Sequence, residues 1–115
     1  MNGKTQIVWR GLTASAALET RIRDEVAALD DTGAQIVSAR VVVEAPTRHR
    51  KGGHFVVKVE LTVPGKVLTV TRDPKEHANA EDAWAALAEA FTTIRRQLVE
   101  YAQVRRGEVK RHAAG

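Results

Sequence analysis

At 115 residues the chain has room for one domain and one modest core, and its 43% of apolar residues, regularly spaced, excludes a disordered polymer. It holds no cysteine, which excludes a disulfide framework, a thiolate nucleophile and cysteine-based zinc sites, and fits a reducing, cytoplasmic setting. No apolar run has the length of a signal peptide or of a membrane span, and the net charge of +4 points to an anionic partner rather than a lipid core.

The first predicted element is a short strand, "TQIVWR" (5–10), with Ile7 and Trp9 on one face. A helix follows. Leu18, Ile22, Val26 and Leu29 recur at steps of four, four and three, with Ser15 as N-cap and Gly33 as stop. Residues 35–45 alternate, placing Val37, Ala39, Val41, Val43 and Ala45 on one face and Ser38, Arg40 and Glu44 on the other. Residues 54–63 alternate more cleanly, with Phe55, Val57, Val59, Leu61 and Val63 together. A period of two with one apolar face is a strand buried on one side.

Pro64-Gly65 is a turn, because proline presets φ and glycine supplies φ > 0, and 66–72 returns as an adjacent strand. After a loop at 72–79, a helix begins near Asn79. Trp84, Leu87, Phe91, Ile94, Leu98 and Tyr101 form its stripe, and Gly107 is expected to end it. At 1.5 Å per residue it is roughly 40 Å long, so its basic end should outrun the sheet. Residues 1–107 then form one domain and 108–115 a short basic tail. The expected fold is α+β: a two-layer sandwich of order β-α-β-β-β-α. A mostly antiparallel four-stranded sheet has both helices on one face, much like the core of double-stranded-RNA-binding domains.

Charge is unevenly spread. Residues 46–75 hold 7 basic and 2 acidic side chains, 76–94 hold no Lys or Arg and 4 acids, and 95–115 hold 6 basic and 2 acidic. Two basic segments set against acidic or neutral ones suggest nucleic acid. The candidate contacts are Arg48, Arg50 and Lys51 on the 45–54 hairpin tip, and Arg72 and Lys75 after the fourth strand. Arg95, Arg96, Arg105, Arg106, Lys110 and Arg111 follow on the last helix and tail. The plain alternative is that cations at a helix C-terminus serve the dipole and that hairpin tips are charged because they are solvated.

Other chemistry is poorly supported. His49, His54, His77 and His112 lack metal-ligand spacing, and the neighbouring cations would repel a metal ion. Lys51-Gly52-Gly53 lacks the phosphate-loop frame, and Ser15 and Ser38 have no visible base. No enzyme, metal, cofactor or small-molecule substrate is expected. Aromatics are scarce, and all fall on core-facing stripes, so base stacking is disfavoured and the expected partner is structured RNA met through shape and phosphate.

The stretch "EDAWAALAEAFTTIRRQL" (81–98), together with "RVVVEAPTRHRKGGHFVVKVELTVPG" and the "RDP" after it, resembles the ribosome hibernation-promoting factor family. This family is also called ribosome-associated inhibitor A or sigma-54 modulation proteins. The resemblance covers about residues 5 to 108 and is to the short type, without a further C-terminal domain. It implies a non-enzymatic stress or stationary-phase factor. Such a factor binds the small ribosomal subunit in the mRNA and tRNA channel through 16S rRNA and blocks translation. The family's helix arginine falls on Arg96, Thr93 stands where a basic residue is common, and Arg95 stands where some members have an acid.

Two other classes stay open. One is a general structured-RNA-binding module, although the last helix opens with Ala80-Glu81-Asp82, which would repel phosphate. The other is a protein-interaction domain. Also open are whether ribosomes are paired or kept single, and whether the free chain forms a weak homodimer through its first strand edge.

Overall fold

The computed structural model describes residues 4–45, 55–72 and 80–114, and the side chains of 80–82 and 108–114 lie outside the description. The element order is β1 (Lys4–Arg10), α1 (Ala16–Ala28) with a 3-10 turn at Leu29–Thr32, β2 (Ser38–Glu44), β3 (Val56–Val63), β4 (Lys66–Arg72) and α2 (Ala80–Ala114). The sheet order is β1-β2-β3-β4, with β1 parallel to β2 and the other pairs antiparallel. The parallel pair follows from connectivity: β1 and β2 are joined through a helix, and the later strands through hairpins.

Local chemistry sets the boundaries. The Leu18 N–H donates to Ser15 Oγ at 3.2 Å, which satisfies a first-turn donor of α1. At the other end Gly33 takes φ +77° and its N–H donates to the Asp30 carbonyl, closing the 3-10 turn. Pro64-Gly65 joins β3 to β4 as a two-residue turn, with Val63 opposite Lys66 and Gly65 at φ +79°.

Core positions match the alternation expected of each strand. Ala39, Val41 and Val43 of β2, Val57, Val59, Leu61 and Val63 of β3, and Leu68 and Val70 of β4 are all buried. They share one core with Leu18, Ile22, Val26 and Leu29 from the α1 segment and with Leu87, Phe91, Ile94 and Leu98 from α2. Ile7 and Trp9 pack against its edge. Both helices therefore cover one sheet face, and among the described residues no element covers the other, called the open face below.

Four details depart from the sequence reading. First, Gly107 does not end α2, which runs on to Ala114. A helical glycine costs only about 1 kcal/mol and stops a helix where it turns to positive φ, which Gly107 does not do. The backbone of residues 108–114 is thus helical. Second, Trp84 is not on the buried stripe. It is 40% exposed, and Ala83, Ala86 and Ala90 take the inner places, since small side chains let the helix lie close to the sheet. Third, Val37 precedes β2 and is exposed; its N–H bonds to the Thr62 carbonyl, and the neighbouring Ile36 is buried instead. Fourth, Val42 is buried on the open side of the sheet, in register with Val8 and Lys58. The hairpin tip at 46–54 and the loop at 73–79 lie outside the described residues.

Candidate nucleic-acid interface

The candidate cations separate into three groups. Arg48, Arg50, Lys51 and Lys75 lie outside the described residues. Lys110 and Arg111 fall on the helical backbone of α2, with side chains outside the description. The other five can be placed.

Three of those five bond within the protein. Arg72 follows Leu68 and Val70 on the core side of β4, and its Nη2 donates to Thr93 Oγ1 on α2 at 2.8 Å. Its Nε is buried and has no hydrogen-bond partner among the described residues. Arg95 donates from Nη1 to the Ala28 carbonyl at 3.3 Å. The last turn of α1 has no basic residue of its own, so α2 supplies a cation at its negative end. Arg105 donates from Nη1 to the Pro64 carbonyl at 3.2 Å and to the Tyr101 hydroxyl, and lies over the Tyr101 ring at 5.5 Å. The Tyr101 hydroxyl itself donates to the Pro64 carbonyl at 2.7 Å.

This Tyr101–Pro64–Arg105 clamp fastens the distal half of α2 to the β3–β4 turn. Tyr101→Phe is expected to cost about 1 kcal/mol of stability in urea unfolding, the net worth of one such hydrogen bond. An unchanged midpoint would show that the bond does not hold the helix.

Arg96 and Arg106 are different. Both are exposed, and neither has a hydrogen bond or ion pair among the described residues. Arg95 and Arg106 are eleven residues apart, about three helical turns, so they share one flank of α2, with Arg96 one step round toward solvent. Arg96 thus lies opposite the buried stripe, while Arg95 and Arg106 lie on the α1 side, Arg95 on Ala28 and Arg106 beside Gly33–Gln35; together they form a basic ridge along α2. Arg96 and Arg106 can meet phosphate without breaking any contact that holds the fold.

Counting charge runs missed a second set of cations. Lys4 and Arg10 of β1, Arg40 of β2 and Lys58 of β3 all point to the open sheet face, beside Glu44 and Glu60. Lys58 pairs with Glu60 at 3.1 Å. Being spread one or two per strand, they form no run in the sequence, and only the parallel pairing of β1 with β2 brings them together. The period-two alternation had already put Arg40 and Lys58 on that side.

Among the described residues no group of three or more His, Cys, Asp or Glu side chains is placed to hold a metal, and no helix is long and apolar enough to cross a membrane.

These features define a small α+β domain with a basic helical ridge. The chain belongs to the sigma-54 modulation protein / S30EA ribosomal protein family, whose model matches residues 5–106. This is a family of non-enzymatic ribosome-associated factors. Among solved structures, the chain is similar to the N-terminal domain of Protein Y from Thermus thermophilus, with 22% identity and a TM-score of 0.65 over 88% of this chain and 99% of that one. It is also similar to a ribosomal subunit interface protein from Coxiella burnetii, with 14% identity and a TM-score of 0.64 over 87% of this chain and 98% of that one. At such identities these likenesses establish the fold. Comparison with curated proteins returns no match.

Proposed function

We propose that this protein is a ribosome hibernation factor. It binds the small subunit in the mRNA and tRNA channel through phosphates of 16S rRNA and inhibits translation in stressed or stationary cells. It acts in the cytoplasm by steric occlusion, with no chemical step. The sheet and two helices are the rigid body, and cations fix that body to the phosphate backbone. Family membership supports ribosome association. The observation that carries the reading further is the placement of Arg96 and Arg106, exposed and without protein partners on the helix that extends past the sheet. The cations of the 48–51 tip, with Lys75, Lys110 and Arg111, are proposed as further contacts on grounds of charge. Arg72, Arg95 and Arg105 hold the helix in place and contribute to the field around it.

Sucrose-gradient profiles of ribosomes with and without the protein test this. The expected result is co-migration with small subunits and with inactive ribosomes, lost as salt is raised. The same profile reads whether inactive ribosomes are paired or single. Binding to plain duplex RNA as tight as to ribosomes would favour a general RNA-binding module instead.

A further inference from the structure

We propose that the open edge of β4 and the flank of α2 above it form a docking groove for an extended, acid-bearing peptide of a protein partner, separate from the basic ridge. The groove has a volume of about 690 Å³ and is lined along the strand by Gly65 to Thr69 and along the helix by Gln97, Glu100 and Val104. Its turn end is bounded by Tyr101 and Arg105 on Pro64, and beyond its other end Arg72 ties the strand to Thr93 on the helix. Between these contacts β4 offers about five residues, roughly 17 Å of strand.

Three observations point to a peptide strand. Among the described residues β4 pairs only with β3, which leaves one of its edges without a strand partner. In a two-residue hairpin the closing pair Val63 and Lys66 exchanges both backbone bonds. By alternation, Val67, Thr69 and Thr71 therefore turn their N–H and C=O groups to the open side. Unpaired edge groups of this kind accept an added strand. Val67 and Val104 are 54% and 57% exposed, the two most exposed large apolar side chains among the described residues. They lie on opposite sides of this edge, Val104 on the helix and Val67 on the sheet face away from it, and an added strand turns alternate side chains to each.

Charge selects the occupant. Lys66 and Arg105 stand together at the turn end, and Glu100 stands farther along the helical wall. A strand with a carboxylate near the turn and no acid opposite Glu100 meets both signs. Nucleic acid fits less well, because its phosphates would run past Glu100 and leave the edge amides and valines unused. A second copy fits less well because each chain carries a net charge of +4. Arg106 lies on the other flank of α2, so the groove stays open while the ridge is engaged.

The test is amide chemical-shift mapping on the isotope-labelled full chain, titrated with a valine–threonine hexapeptide that carries one glutamate, at the end that meets the turn. The same hexapeptide with lysine in place of the glutamate and a short RNA duplex serve as comparisons. The glutamate peptide is expected to shift the amides of Val67, Thr69 and Thr71, and the lysine peptide is expected to bind at least tenfold more weakly. Thr69→Pro removes an outward N–H without removing a ladder bond, and should weaken binding at least tenfold. Lys66→Glu, at an exposed turn position, supplies a second variant: it should reverse the preference between the two peptides. Any of four results would overturn the proposal. They are no shift at millimolar peptide, equal binding of the lysine peptide, the same amides shifted by the duplex, or concentration-dependent shifts without peptide that mark self-pairing.

Discussion

Reversing the charge of Arg96 and Arg106 together (Arg96→Glu, Arg106→Glu) is expected to weaken binding to small ribosomal subunits by about 10²-fold or more. A charge-assisted hydrogen bond contributes roughly 1.5–3 kcal/mol, and two of them correspond to about two to four decades in affinity before the added repulsion counts. The double variant should also flatten the salt dependence. Each phosphate contact contributes about 0.7–0.9 to the slope of log K against log salt, so the slope should fall by roughly 1.5. Folding should be untouched, since neither side chain has a partner among the described residues. Reversing Arg95 makes the informative contrast. Its contact with the Ala28 carbonyl would be lost, so stability should fall along with affinity. Equal sedimentation of the double variant and the parent at moderate salt would remove these two residues from the interface.

The second large effect is on the fold. Leu98 is fully enclosed in α2, between the basic ridge and the Tyr101 clamp. Leu98→Ala is expected to destabilise the domain by about 2–5 kcal/mol, the lost transfer energy plus a residual cavity. That is a large share of the roughly 5–15 kcal/mol typical of a domain, and should lower Tm by about 10 °C or more. Val104→Ala on the same helix removes an exposed side chain and should stay within about 0.5 kcal/mol. Thermal unfolding by circular dichroism measures both. Equal midpoints for the two variants would mean that the helix does not pack on the sheet through this face.

Much of the fold was readable because its signals are local. The Leu18–Ile22–Val26–Leu29 stripe and the alternations of β2 and β3 each need only a window of ten or so residues, and each buries the face its period assigns except toward its ends, where Val37 is exposed and Ala45 and Phe55 are half-buried. The Pro64-Gly65 turn needs only two residues. What could not be read depends on contacts between distant parts of the chain. Trp84 fits the stripe spacing as well as Phe91 does. The alanines at 83, 86 and 90 decide which face lies against the sheet, and that choice belongs to the packing. Gly107 carries a stop signal that its conformation does not follow.

For the candidate site the limit is sharper. A charge run marks every cation alike, yet Arg72, Arg95 and Arg105 bond to Thr93, Ala28 and Pro64. These partners are 21, 67 and 41 residues away in sequence, so no local pattern separates the cations that bond within the fold from Arg96 and Arg106. The open-face set was only half legible: alternation places Arg40 and Lys58 on that face, and strand pairing adds Lys4 and Arg10 beside them.

The central claim is that this domain occupies the mRNA and tRNA channel of the small subunit by binding 16S rRNA. Hydroxyl-radical footprinting of 16S rRNA in small subunits, with and without the protein, tests it most directly. The account predicts protection confined to channel nucleotides, reduced by competing mRNA and tRNA and lost with the Arg96→Glu, Arg106→Glu variant. Protection on the outer surface of the subunit, or none at saturating protein, would contradict it.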